Sequence, residues 1–273
     1  MPGVFRPRLN CSFKKFMKVI ILCGGLGTRL REETEYRPKP MVPVGGQPIL
    51  WHIMKSYAHH GFRDFVLCLG YKGEVIKDYF RNYLWNRSDV TLKLGHNPQI
   101  TYHNTHQEED WTVTLLETGL ATQTGGRLLR AMNHVGDEDV LFTYGDGLTN
   151  MNIRQSVDFH YAQHGMVTMS AVRPAGRFGE LGINGTTIMS FQEKPLQEDG
   201  FINGGYMVLN QSVRNYLTGD ECIFEREPLQ SLAAAGKLNA YKHEGYWQCM
   251  DTYREFEILN KLWDAREAPW KVW

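Results

Sequence analysis

The chain has 273 residues, 42% of them hydrophobic and 22% charged, enough for one large globular domain or two small ones with ample core. Thirty Lys and Arg balance thirty Asp and Glu, so no net field draws it to nucleic acid or to an anionic membrane, and any anion site must be local. Its five cysteines are scattered without a C-x-x-C pair, and no apolar run approaches the roughly 20 residues of a membrane helix; the simplest expectation is a reducing, cytoplasmic compartment with no disulfide framework or zinc site.

Residues 1–16 carry Arg6, Arg8, Lys14 and Lys15, no acid and no long apolar stretch. They read as a disordered or upstream-start extension ahead of a single domain over residues 17–273. Val19–Cys23 is fully apolar, as in a strand buried on both faces. Ile49–His60 reads as a helix with Pro48 near its first turn, Phe65–Leu69 as a second buried strand, and Glu74–Leu84 as an amphipathic helix. The segment Asn97–Gly126 is polar and fits either an insertion or a contact surface. Val140–Tyr144 is a third apolar strand, followed by a helix over Ile153–His164 and a strand over Val167–Val172. Strands are then expected at Thr187–Phe191, Tyr206–Leu209 and Leu238–His243, and helices at Gln211–Leu217, Pro228–Ala235 and Tyr253–Trp263. The expected fold is α/β: a Rossmann-like, mostly parallel but mixed sheet flanked by helices, with a strand-rich C-terminal part.

The first strand breaks into Gly24-Gly25-Leu26-Gly27-Thr28-Arg29. Glycines at the carboxyl end of a strand let backbone N–H groups converge on phosphate oxygens; Arg29 adds a forked donor, and Lys39 a point charge held between Pro38 and Pro40. A tight turn without a ligand has the same pattern. Two standard nucleotide loops are excluded. Leu30 stands where a dinucleotide fingerprint has its third glycine, no acid occurs between Glu35 and Asp64, and there is no G-x-x-x-x-G-K-[ST]. Two acids are candidate ligands for a divalent cation on a triphosphate. Asp146 lies between glycines after the third strand, where an Asx turn is the alternative; Asp251 precedes a helix, where an N-cap is the alternative. His103-x-x-His106 has no acidic or cysteine partner at a metal-binding spacing.

The stretch LCGGLGTRL, continued by RPKPMVPVGGQPIL, FTYGDG, FQEKP, NGGYMVLN and WQCMDT, resembles the sugar-1-phosphate nucleotidylyltransferases over nearly everything from Met17 onward. Cys23 replaces the usual alanine, and Arg37 the usual lysine of the proline pair, while Lys39 is kept. The resemblance implies the glycosyltransferase-A-like nucleotidyltransferase fold. It implies nucleotide contacts from Leu22, Cys23, Gly24, Gly25, Leu26, Gly27, Thr28, Arg29 and Lys39, and from Thr122, Thr124, Gly126, Arg127 and Gly145. It implies sugar-phosphate contacts from Glu193, Lys194, Asn203 and Gly204, Mg²⁺ on Asp146 and Asp251, and catalytic roles for Arg29, Lys39 and Asp146. The finer likeness, in PILWHIMKSYAHHGFRDFVLCLGYKGEVIKDYF, TGGRL and APWKVW, is to members that join CTP to glucose 1-phosphate, work as homo-oligomers, often hexamers, and feed surface polysaccharide. The same chemistry on dTTP or UTP, and a nucleotide-sensing subunit without catalysis, are the alternatives.

Overall fold

The computed structural model describes residues 17–103, 109–174, 180–184, 187–192 and 200–273. In chain order the strands are β1 (Val19–Leu22), β2 (Pro43–Val44), β3 (Gln47–Pro48), β4 (Asp64–Leu69), β5 (Asp89–Lys93), β6 (Gln99–His103), β7 (Thr112–Glu117), β8 (Val140–Tyr144), β9 (Gly147–Thr149), β10 (Val167–Val172), β11 (Glu180–Asn184), β12 (Thr187–Gln192), β13 (Ile202–Leu209), β14 (Leu238–His243) and β15 (Trp247–Cys249). The helices are α1 (Arg31–Thr34), α2 (Ile49–His59), α3 (Gly73–Arg81), α4 (Tyr83–Arg87), α5 (Thr124–Val135), α6 (Ile153–Gln163), α7 (Glu227–Ala234) and α8 (Tyr253–Asp264).

Seven strands form the main sheet in the order β14-β10-β13-β8-β1-β4-β7. β8, β1, β4 and β7 run parallel, as do β10 and β14, and β13 is antiparallel to both its neighbours. The sheet is therefore mixed and mostly parallel, as expected. Its centre is β1, which is buried along its whole length because alternate residues face opposite helical layers. Val19, Ile21 and Cys23 join a core with Ile53 and Tyr57 of α2, Val157 of α6, Leu259 of α8 and Trp270. Ile20 and Leu22 join a second core with Leu128 and Met132 of α5 and Leu229 and Leu232 of α7. No helix among the described residues is long and apolar enough to cross a membrane.

Several elements differ from the sequence reading. The polar stretch from Asn97 to Gly126 contains β6, the edge strand β7 and the first turn of α5. β7 escapes hydropathy because its residues are half-buried or exposed at the sheet's edge. Gln211–Tyr216 winds as a 3-10 helix, begun by the Asn210 side chain accepting from Ser212 N–H. Residues 1–16 lie outside the described residues, as does His106.

The C-terminal segment closes over α2 and over the β2–β3 hairpin that follows Lys39. Gly45 in that hairpin has φ +57 and lies against the Trp263 indole, where a Cβ would come within 1.9 Å of Cδ1. Asn260 of α8 accepts from Gly45 N–H at 2.9 Å. His52 of α2 is wholly buried beside Trp263 and Trp270. Trp270 Nε1–H donates to His52 Nδ1 at 3.3 Å, and the carbonyl of Val44 faces Nε2 at 2.8 Å. An indole can only donate and a carbonyl only accept, so the ring is neutral with its proton on Nε2. Burial accordingly lowers the His52 pKa to about 4 from the ordinary 6.5, against the opposing Val44 bond. Between those values the unfolded chain binds a proton that the folded chain refuses. Stability is complete above 6.5 and falls with pH below it, by about 1.4 kcal/mol per pH unit from this residue. Urea unfolding of His52→Gln beside the parent chain at stepped pH is expected to show that part of the slope removed.

Candidate active site

Parallel pairing of β1 with β8 sets Leu22 opposite Tyr144, so the two loops that leave these strands emerge side by side. One is the glycine turn; the other carries Gly145-Asp146. Gly145 N–H donates to Leu22 O at 3.1 Å. A Cβ on Gly145 would lie 2.6 Å from Pro40 Cγ, so glycine here lets the Pro38-Lys39-Pro40 turn close on the strand end. Asp251 arrives by another route. β15 pairs antiparallel with β9, Gly147 opposite Cys249, and Met250 N–H donates to Asp146 O at 2.9 Å. The N-cap of α8 is Thr252, in a capping box with Glu255, so Asp251 is not the cap. Glu255 also accepts from Asp251 N–H at 2.7 Å, which fixes the backbone and leaves the carboxylate free to point into the site.

The two carboxylates meet on one cation. Lys39 Nζ lies 2.6 Å from Asp146 Oδ2 and 2.6 Å from Asp251 Oδ1, and Arg29 Nη1 lies 3.0 Å from Asp251 Oδ2. Burial opposes charge on Lys39, but Asp146 and then Asp251 overcome it and hold the ammonium's pKa above the usual lysine range. Burial likewise opposes charge on Asp251, and Lys39 and Arg29 overcome it, so its carboxyl stays below the usual range. The ligand atoms of Asp146, Cys249 and Asp251 lie within 4.8 Å of one another. Two convergent carboxylates fit a hard divalent cation that completes its shell with phosphate and water. Lys39 already stands between them as a positive charge. The Cys249 thiol is pushed up by burial and by Asp146, and as a protonated soft donor it is no partner for such an ion.

Two cavities adjoin at these aspartates, sharing Tyr144, Asp146 and Asp251. One, of about 690 Å³, is lined by the glycine turn from Leu22 through Cys23, Gly24, Gly25, Leu26, Gly27 and Thr28 to Arg29, by Lys39 and Pro40, and by Leu120–Thr124, Arg127 and Gly145. The other, of about 580 Å³, is lined by Asn203, Gly204, Gly205, Tyr206, Trp247, Gln248 and the first turn of α8, among others. Gly126 does not line either cavity; its Cα faces Gly219 and Asp220. Gly204 packs against Ser170 and Val172, while its carbonyl accepts from Trp247 Nε1–H at 2.7 Å. Glu193 and Lys194 lie outside the described residues.

The three glycines of the turn are not equivalent. Gly27 alone has a left-handed backbone, φ +63. Gly24 is required by contact: a Cβ there would meet Arg127 Nη1 at 2.2 Å. Arg127, only 5% exposed, points under the turn rather than across the cavity. Its guanidinium donates to Leu69 O at 2.9 Å, Thr118 Oγ1 at 2.8 Å, Gly24 O at 3.2 Å and Leu120 O at 3.2 Å. The turn therefore rests on a buried positive charge whose hydrogen-bond partners are all neutral, which favours an anion above it.

Sequence reasoning assigned no role to Tyr144, Trp247 or Glu225. The first two lie inside the quoted FTYGDG and WQCMDT motifs. Glu225 carries no local signal, yet it accepts from Tyr144 OH and, at 2.6 Å, from Thr124 Oγ1, tying the partition between the cavities to the first turn of α5.

Residues 18–254 match the model of the nucleotidyl transferase family. The chain belongs to that family. It is 50% identical over 258 residues to the glucose-1-phosphate cytidylyltransferase of Salmonella typhimurium, which covers 94% of this chain and 100% of that protein. It is 30% identical over 200 residues to the D-glycero-alpha-D-manno-heptose 1-phosphate guanylyltransferase of Aneurinibacillus thermoaerophilus, covering 72% of this chain and 76% of that one. Among solved structures, HddC from Yersinia pseudotuberculosis superposes with a TM-score of 0.66 at 23% identity, over 90% of this chain and 99% of that one, a likeness of fold. The nucleotidyl transferase fold thus accounts for the mixed sheet and for loops gathered at the carboxyl ends of β1 and β8.

Arg127→Met would strip the donors from Gly24, Leu69, Leu120 and Thr118 together. It is expected to cost about 3 kcal/mol of stability, read as a shifted urea midpoint.

Proposed function

We propose that the chain transfers the cytidylyl group of CTP to α-D-glucose 1-phosphate, giving CDP-glucose and pyrophosphate. The observation that supports this best is the pair of cavities meeting at Asp146 and Asp251, in a chain half identical over nearly its full length to a cytidylyltransferase. The glycine turn, Arg29 and Lys39 line the cavity assigned to CTP, and Asn203 and Gly204 line the cavity assigned to the sugar phosphate. A phosphate oxygen of the sugar attacks the α-phosphorus, and the bond from that phosphorus to the bridging oxygen of the β-phosphate breaks. The nucleophile is already an anion, so no general base is needed; the obstacle is the approach of two anions.

In this reading the chain's own groups position and neutralise. N–H groups of the glycine turn and the Arg29 guanidinium hold the leaving β- and γ-phosphates, and Lys39 reaches the phosphates at the point of transfer. Lys194 holds the sugar phosphate, and Glu193 accepts from sugar hydroxyls. Thr122 and Thr124 line the nucleotide cavity, as do the exposed Leu26 and Leu120, and this reading assigns the base to them. Asp146 and Asp251 would hold Mg²⁺, which when bound supplies charge neutralisation on the phosphate oxygens. This reading also assigns the chain to the cytoplasm and to a homo-oligomer, for which Leu92, Leu94 and Ile100, exposed on or beside the β5–β6 hairpin, are the contact residues it would use.

Pyrophosphate release with glucose 1-phosphate, Mg²⁺ and each of CTP, UTP, dTTP, ATP and GTP tests the reading. CTP is expected to be preferred, and Asp146→Asn to lower its turnover at least about a hundredfold without changing the thermal midpoint. Preference for another nucleotide would transfer the reaction to that substrate.

A further inference from the structure

The acids and bases at the junction cancel. Asp146 and Asp251 face Lys39 and Arg29, and both oxygens of Asp251 are taken, Oδ1 by Lys39 and Oδ2 by Arg29. A bare dication entering this set would meet no spare negative charge. It would also stand beside an ammonium hydrogen-bonded to the very oxygens it must bind.

The two sides differ in reach. Backbone bonds fix the main chain beneath the short carboxylate side chains: Met250 N–H to Asp146 O, and Asp251 N–H to Glu255. The cations end long stems: the Arg29 side chain is 73% exposed, and the Lys39 side chain, though only 13% exposed, lies on the wall of the cavity that the glycine turn lines. A triphosphate entering that cavity would offer both cations new partners.

We infer that Lys39 is the stand-in cation of the free site: it occupies the place between Asp146 and Asp251 until a nucleoside triphosphate draws it and Arg29 onto phosphate oxygens, so that the divalent cation is admitted only with the nucleotide. The inference rests on the metal-assisted reading above and adds an order to it. Lys39 thereby has two tasks. In the free chain it keeps two carboxylates together; in the loaded chain it neutralises phosphate. The exchange also ensures that the carboxylates gain a dication only as the triphosphate takes their former partners.

The test is Mn²⁺ binding to the full-length chain without nucleotide, read from loss of the free aquo-ion's electron paramagnetic resonance signal. Lys39→Met is expected to bind Mn²⁺ about tenfold or more tightly than the parent chain, because the competing charge is gone while the stem's volume is kept. Lys39→Gln, a second neutral variant, is expected to move the same way, each first shown to be folded at the assay temperature by a cooperative thermal transition above it. Adding CTP without sugar phosphate is expected to raise the parent chain's Mn²⁺ retention above that of CTP alone. Parent-chain affinity equal to that of both variants would overturn the inference. Pyrophosphate release by the parent chain separates the two failures, since Lys39 is itself assigned to the reaction. Turnover of the parent chain with CTP beside equal Mn²⁺ affinity in parent and variants would sink the stand-in role alone. A tenfold gain in the variants, with no turnover by the parent chain on any nucleotide, would sink the proposed reaction and leave the stand-in role intact.

Discussion

Two aspartates pressed together need a positive charge between them. In this chain that charge is Lys39, which joins residues 107 and 212 positions apart from it in sequence. Much of the architecture serves the meeting. β1 and β8 lie side by side so that Gly145-Asp146 emerges next to the glycine turn; β9 and β15 pair so that Asp251 reaches Asp146. The C-terminal aromatic cluster braces the hairpin just after Lys39, through Trp263 on Gly45 and Asn260 on the hairpin backbone. Each of these contacts helps to place a charge.

The same junction divides the concave face into two cavities. Tyr144 stands at the partition; burial and Glu225 raise its pKa, keeping the phenol protonated as a donor to Glu225. Glu225 also holds Thr124 at the start of α5. A shift of the partition is thereby coupled to the wall of the cavity that the glycine turn lines. Beneath that wall Arg127 spends its hydrogen bonds on neutral acceptors, so it supports the turn from behind while Arg29 and Lys39 face the cavity.

The sequence made some of this legible, and physics explains which parts. β1, β4 and β8 were readable because a strand buried on both faces must be apolar throughout, and the glycine turn was readable because it follows such a strand. β9 and β15 are three residues each and find each other across about a hundred positions, so no local pattern announces them. Asp251 looked like a helix cap, yet the Thr252-x-x-Glu255 spacing already marked the following residue as the cap. The glycines were legible as a group but not singly: Gly27 needs its conformation, Gly24 needs room for Arg127, and Gly126 serves packing against Gly219–Asp220. Arg127 was readable as a cation near the nucleotide, but the direction of its side chain is decided by carbonyls of three other segments.

The most direct measurement is a crystal structure of the chain with CTP and Mn²⁺, the ion located by anomalous scattering. The account predicts one peak between the carboxylates of Asp146 and Asp251, with the Lys39 ammonium moved from them onto phosphate oxygens. An ion elsewhere, with Lys39 still bridging the two aspartates beneath a bound triphosphate, would contradict it.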